Sequence, residues 1–333
     1  MPRDIGRYHE AMNYEALIRA SRGGDQSVGP LFDRLSTLVD VAEPLPVHLS
    51  QYAKVSGVAD YEISDAYYLV RACFERMSES DVILGRNDPL WPSRIDGFPY
   101  MPRYLYLRGD LSLLAMPSVS VIGTRSPSTQ GKQYAAETAA ALGKAGYAVA
   151  SGLALGIDGV AHISALKEDL PTIAVIGTPL DHVYPPVHAP LQHLIEQHGL
   201  VVSRFSPAAE TQKWFFLLRN RLMSAISVGS VVVEDRDGGG AVRQAGFALE
   251  QKKYLFLFQH VLDNKAWLWP RRLADKPRVF VVKKPADIPR QLERADKLVD
   301  QVKNLPKAPA SARKTSASER ERTADAVQLD LFS

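Results

Sequence analysis

A glycine-led turn carries the residues best suited to chemistry. Gly123-Thr124-Arg125-Ser126-Pro127-Ser128-Thr129-Gln130-Gly131 follows a short apolar run at 119–122. Glycine lets a backbone approach a ligand closely, and Ser126 and Ser128 can cap a helix or donate to an oxygen. The Arg125 guanidinium is a planar fork matched to phosphate. A helix starting near Ser128 would aim its free N–H groups at an anion. The turn is neither a dinucleotide fingerprint, lacking G-x-G-x-x-G, nor a Walker loop, lacking Gly-Lys-Ser/Thr. An exposed arginine beside an ordinary helix cap is the competing reading. Phosphate binding is favoured because ligands of open parallel sheets bind beyond the carboxyl ends of strands. Gly123, Arg125, Ser126, Ser128 and Gly131 are its candidate contacts.

A second turn, Ser151-Gly152-Leu153-Ala154-Leu155-Gly156-Ile157-Asp158, adds Ser151, Gly152 and Gly156 to the same edge. With His162 it invites a serine hydrolase reading, but the nucleophile elbow needs glycine where Val149 stands. Asp158 and His162 are one helical turn apart and are expected to pair with each other, as structure rather than as a triad. His182, His188, His193 and His198 recur in steps that share no helix face, and H-E-x-x-H is absent. That excludes a metal site of this kind, and no cofactor is expected. With neither an activated nucleophile nor a metal cluster, the chain reads as a non-enzyme.

These turns need a scaffold, and the pattern supplies one. Apolar runs at 119–122, 147–150, 172–176, 201–202, 230–233, 254–258 and 279–282 alternate with helical patterns at 128–144, 157–167, 189–197 and 285–303. Alternation of that kind predicts an α/β fold: an extended Rossmann-like, mostly parallel sheet with flanking helices. Tyr14, Leu17 and Ile18, then Leu31, Leu35 and Leu38, then 63–77, recur at helical spacing and predict a small N-terminal helical domain. The expected organisation is a helical domain at 1–80 and a Pro- and aromatic-rich connector at 81–116. A Rossmann domain at 117–285, a charged helix at 286–304 and a tail at 305–333 follow. Trp91, Tyr100, Tyr104 and Tyr106 among the connector's prolines suggest an ordered strap with something to bury.

Composition narrows the class. A hydrophobic content of 46% with 23% charged residues is that of a globular domain. The net charge of +3 permits a polyanionic partner without requiring one. The single cysteine, Cys73, rules out an internal disulfide and fits a reducing compartment; it reads as a small buried hydrophobe. Neither a secretory leader pattern nor a bilayer-spanning apolar run is apparent, so a cytoplasmic location without membrane contact is expected.

The ordered motifs resemble the DprA/Smf family of DNA-processing proteins. Tyr104-Leu105-Tyr106-Leu107-Arg108-Gly109-Asp110 begins the match. Gly123-Thr124-Arg125 with Ser128 and Gly131 comes next, then Ser151-Gly152-Leu153-Ala154 with Gly156-Ile157-Asp158 and Ala161-His162. Leu180-Asp181 with Tyr184-Pro185, Phe216 with Arg219-Asn220-Arg221, Glu234, and Ala245 with Ala248-Leu249-Glu250-Gln251 complete it. The resemblance implies single-stranded DNA binding, homodimers and loading of a RecA-type recombinase, notably in transformation. It implies that Arg125 lies in a DNA-binding pocket; Arg219, Asn220 and Arg221 would add two forks and an amide beside it, or form only a polar helix start. The family usually has arginine where Leu155 stands, glycine at Pro179, glutamate at Arg204 and Ser-Gly-Ser at Gly239-Gly240-Ala241. These changes fall at the binding edge. The alternatives are a regulatory or antitoxin-like component of an antiviral defence system, and a nucleotide-processing Rossmann enzyme. The latter needs a glycine-rich loop with a paired glutamate, faintly matched by Gly238-Gly239-Gly240.

The segment at 305–326 is small, polar and charged, and is expected to be disordered. Apolar residues then return in Gln328-Leu329-Asp330-Leu331-Phe332. That order resembles the peptide by which bacterial proteins dock on the DNA polymerase sliding clamp, and a polar tether suits such docking.

Overall fold

The computed structural model describes residues 4–303. The first helices are α1 (Ile5–Ser21), α2 (Asp25–Leu35), α3 (Leu49–Ser56) and α4 (Asp60–Phe74). Asp4 begins α1 by accepting the Arg7 backbone N–H at 3.0 Å, satisfying a donor that the helix cannot. Leu17, Phe32, Leu35, Tyr52, Ile63, Val70 and Phe74 are fully buried between these helices. Leu38 does not join them: α2 ends at Leu35, and Leu38 is exposed. Cys73 is only partly buried, a correction to its reading as a core residue. Val70 and Phe74, four apart, take the core face of α4, and Cys73 lies about 100° round the helix from Phe74.

The connector contributes two strands, β1 (Val82–Gly85) and β2 (Tyr104–Gly109), where the sequence suggested only a strap. Tyr104 and Tyr106 share one face of β2 and meet the helices edge-on, Tyr104 against Tyr14 at 5.6 Å and Tyr106 against Phe74 at 6.3 Å. Leu105 and Leu107, on the other face, are fully buried as well. Arg204 adds a polar link between the layers. Its guanidinium donates to the Tyr100 carbonyl at 2.7 Å and to Asp25 at 3.1 Å, and Asp25 also accepts from the Tyr14 hydroxyl at 3.0 Å. An arginine here, at a position where the resemblance implies glutamate, therefore ties α2 to the sheet.

Next come β3 (Ser118–Ile122), α5 (Thr129–Lys144), β4 (Ala148–Ser151), α6 (Ile157–Lys167) and β5 (Thr172–Ile176). The chain continues through α7 (Ala189–His198), β6 (Leu200–Ser203), α8 (Phe215–Ile226), β7 (Gly229–Val232) and α9 (Gly240–Glu250). It ends this unit with β8 (Tyr254–Phe258), α10 (Gln259–Asp263), α11 (Trp269–Ala274) and β9 (Val279–Val282). The sheet order is β1-β2-β6-β5-β4-β3-β7-β8-β9. All neighbours from β6 to β9 are parallel, and β1–β2 and β2–β6 are antiparallel. Every residue of β3, β4 and β5 is buried, as strands covered on both faces require. The expected α/β, mostly parallel sheet with flanking helices is the observed fold.

Residues through Ala286 form one compact unit, and a second begins at Asp287, where the helix α12 (Asp287–Lys303) runs. The sliding-clamp peptide reading at Gln328, Leu329, Asp330, Leu331 and Phe332 lies outside the described residues. Among the described residues no helix is long and apolar enough to cross a membrane.

The chain passes from β3 to β4 on one side, then returns after β6 to set β7 on the other side of β3. This reversal puts a topological switch point at the carboxyl ends of β3 and β7, where doubly wound sheets receive ligands.

Candidate functional site

The β3 turn closes on the β7 turn. The Thr124 N–H donates to the Glu234 carbonyl at 2.6 Å, and the Val233 N–H to the Ile122 carbonyl at 3.0 Å. Gly123 is required by this fit, since a Cβ there would strike Ile157 and the Glu234 backbone. Ser128 is the N-cap of α5, its Oγ accepting from the Gly131 N–H at 3.0 Å. Ser128 also donates to one carboxylate oxygen of Glu234, from N at 3.0 Å and from Oγ at 3.1 Å. A Cβ on Gly131 would overlap that same oxygen. The helix end that the sequence offered to a phosphate thus holds an internal carboxylate, which suits it for the same reason. Arg125 and Ser126 stay exposed, and Arg125 makes no ion pair among the described residues.

The second turn docks under the first. Gly156 has φ +80° and packs its α-carbon against the Thr124 and Arg125 backbone, where a side chain would not fit. The Ile157 N–H donates to the Thr124 carbonyl at 3.2 Å. Asp158 does not pair with His162, contrary to the sequence expectation. Its carboxylate accepts the Gly152 and Ala154 N–H groups at 3.1 and 3.4 Å, folding the loop back onto its own helix. His162 instead meets the Thr172 hydroxyl through Nδ1 at 2.7 Å, and burial pushes its pKa down to about 3, so the ring is neutral. Ser151 Oγ donates to the Val121 carbonyl at 2.7 Å. Ser151 touches both Asp158 and His162, but Asp158 and His162 do not meet, so the Ser–His–Asp order of a triad is not assembled. Among the described residues no group of His, Cys, Asp and Glu side chains could hold a metal.

Arg219, Asn220 and Arg221 sit on α8 and diverge. Arg219 is buried; its Nη1 donates to the Gly152 carbonyl and, at 2.8 Å, to that of Val175, and its Nε to Asn220 Oδ1 at 2.9 Å. Burial lowers its pKa, Asp158 opposes that, and Arg125 adds to it, so Arg219 lies in the field of Arg125 without reaching solvent. Arg221, two residues on, points about 200° away. It stacks on Phe247 at 4.2 Å and pairs with Glu250 at 3.2 Å, near the carboxyl end of α9. The expected pair of forks beside Arg125 is therefore not assembled. Arg219 holds the second turn, Asn220 holds Arg219, and Arg221 serves another surface.

Aromatic residues at the same edge were not among the expected contacts, although Tyr184 and Phe216 stand in the motifs. Phe216 lies over Gly177, just past β5, and packs on Tyr184 with ring centres 5.3 Å apart. Trp214, at the start of α8, packs edge-on against Phe215, which stacks on Phe205 just past β6. Tyr184 is 44% and Trp214 55% exposed, and Lys213 beside it is exposed too. The run Lys213-Trp214-Phe215-Phe216 at a helix start was the signal available in the sequence.

The model of the family described as DNA recombination-mediator protein A matches residues 82–293. This chain belongs to that family. It is 35% identical over 156 residues to DNA processing protein DprA of Bacillus subtilis, covering 46% of this chain and 52% of that protein. It is 34% identical over 186 residues to protein Smf of Synechocystis, covering 55% and 47%. The chain thus spans about half the length of these curated relatives. DNA processing protein A from Streptococcus pneumoniae superposes with a TM-score of 0.69 at 26% identity, over 83% of this chain and 96% of that one. DNA processing protein A from Helicobacter pylori, solved for its single-stranded DNA binding mode, gives 0.57 at 30% identity over 65% and 96%.

Proposed function

We propose that the chain binds single-stranded DNA at the carboxyl edge of its sheet and acts as a recombination mediator. In this reading it is a cytoplasmic homodimer that hands the strand to a RecA-type recombinase and catalyses no reaction. The observation that carries it is the exposed, unpaired Arg125 on the edge that also presents Tyr184 and Trp214. Cations on the backbone and aromatic faces under the bases are how single strands are held without sequence preference. The Helicobacter pylori protein, whose structure concerns single-stranded DNA binding, supports the same assignment. A nucleotide-processing enzyme would need a free glutamate beside the glycine loop, and Glu234 is bound to Ser128.

The test is fluorescence anisotropy with a labelled oligothymidylate and its duplex. Salt-sensitive binding of the single strand, weakened in Arg125→Ala, is the expected result. Equal binding by the variant would remove the site, and the absence of any binding would remove the function.

A further inference from the structure

The last strand unit of the sheet carries a charge unlike the rest of the chain. Between 252 and 284 there are nine Lys and Arg against two Asp, a net of +7 in a chain whose total is +3. The remainder is therefore net negative. Lys265, Arg271, Arg272, Lys276, Arg278 and Lys283 are all exposed, and none makes an ion pair among the described residues. Six cations without ion pairs, of which Arg278 also lies over the Tyr254 ring at 5.7 Å, repel one another and raise the local potential.

Their placement is continuous. Lys283 directly follows β9, at the same carboxyl edge as Arg125. The loop bearing Lys265 is pinned to that edge too, because the Leu268 and Trp269 N–H groups donate to Asp237, past β7, both at 2.9 Å. The Trp269 indole donates to the Asp235 carbonyl at 2.8 Å. α11 then carries Arg271 and Arg272 down the sheet, and Lys276 and Arg278 lie in the turn into β9. The carboxylates facing this path are largely occupied: Asp237 by those two N–H groups, Asp235 by the Ala241 N–H at 2.9 Å, and Asp263 by the Gln259 amide at 2.9 Å. Asp275 remains beside Lys265 and Arg271 in an open depression.

We propose that this margin is a second, sequence-independent contact for a nucleic-acid phosphate backbone, continuing the strand's path from Arg125 across β7 and β8 to α11 and β9. It rests on the reading of the switch point as a single-strand site. From β3 to β9 is three strand spacings, about 14 Å, a distance that a strand of a few nucleotides bridges. With aromatic rings past β5 and β6, and unpaired cations at β8 and β9, the bases are held on one side and the backbone leaves on the other.

The triple variant Lys265→Glu, Arg271→Glu, Lys283→Glu tests this, since all three side chains are exposed and the fold can be checked by circular dichroism. Binding is measured for oligothymidylates of about 3 and about 30 nucleotides, the first too short to engage both contacts and the second long enough to overrun them. The expected outcome is a loss of about tenfold or more for the long oligonucleotide at low salt, with the short one changed less than about twofold. In the unaltered protein the salt slope should be steeper for the long oligonucleotide than for the short one. Equal affinities of variant and parent for the long oligonucleotide overturn the second contact while leaving the Arg125 site standing. Failure of the parent to bind either length overturns both. Binding of the parent to anionic phospholipid vesicles, lost in the variant while long-oligonucleotide binding persists, would assign the margin to a membrane and also overturn the proposal.

Discussion

Glu234 and Ser128 meet across the switch point, the carboxylate accepting from both the backbone nitrogen and the hydroxyl of the serine at 3.0 and 3.1 Å. The pair seals the first turn of α5 and leaves Arg125 as its outward-facing charge. A helix end filled by its own protein's carboxylate is stable but less receptive to an outside phosphate.

Replacing Glu234 with Gln should therefore have two opposed effects. Stability should fall by about 1 kcal/mol, as for a weakened cap. Affinity for single-stranded DNA should rise several-fold, because a negative charge leaves the binding edge and a helix end is freed. Urea unfolding and anisotropy measure the two. Weaker DNA binding in a folded Glu234→Gln protein would mean that the carboxylate organises the site rather than competing for it.

Arg125 and Arg219 should behave in opposite ways although each influences the other's field. Arg125→Ala should keep the fold and lose about 1–3 kcal/mol of DNA binding, as for an exposed charge-assisted contact. Arg219→Ala strips the Gly152 and Val175 carbonyls of a donor and leaves Asp158 without its countercharge. A cost of about 3–5 kcal/mol in stability is expected for breaking such a buried arrangement. Thermal melting separates the cases, and an Arg219→Ala protein as stable as its parent would contradict the buried role.

The division between those arginines also shows what the sequence could carry. Thr172–Ile176, Ile157–Lys167, Tyr254–Phe258 and Val279–Val282 were legible with their observed bounds, because the patterns for buried strands and helices are local. β1 and β2 were not, since prolines and mixed aromatics obscure alternation in an antiparallel edge. Arg125 was legible because a turn exposes it whatever lies elsewhere. Arg219 and Arg221 were read alike because their order in the chain conceals a half-turn of helix. The Glu234–Ser128 contact spans 106 residues, and no local pattern reports it.

Trp214→Ala should weaken single-strand binding by about 1–3 kcal/mol, the range for losing a stacking ring. Because no charge is removed, the slope of log affinity against log salt should not change, whereas Arg125→Ala should reduce it by about 0.7. Salt titrations of both variants make the comparison. A flatter slope in Trp214→Ala would mean that the ring positions a cation instead of a base.

Glu15, on α1, gives the fold a pH dependence of its own. Burial pushes its pKa from the ordinary 4.5 up to about 7, and the nearby charge of Asp25 adds to the rise. A carboxyl raised in the folded state holds its proton more tightly there than in the unfolded chain. Its contribution is therefore most favourable below about pH 4.5 and is lost as the pH climbs through about 7. Glu15→Gln abolishes the titration while keeping the shape. At pH 8 the variant should be more stable by about 2 kcal/mol, less than the full shift implies because Glu15 retains some solvent contact. At pH 4 the two proteins should be equal, since both then carry a neutral side chain. Urea unfolding at pH 4, 6 and 8 gives the difference directly, and other titrating groups cancel between the two proteins. A constant difference across that range would place the Glu15 carboxylate in water and its charge outside the energetics of the fold.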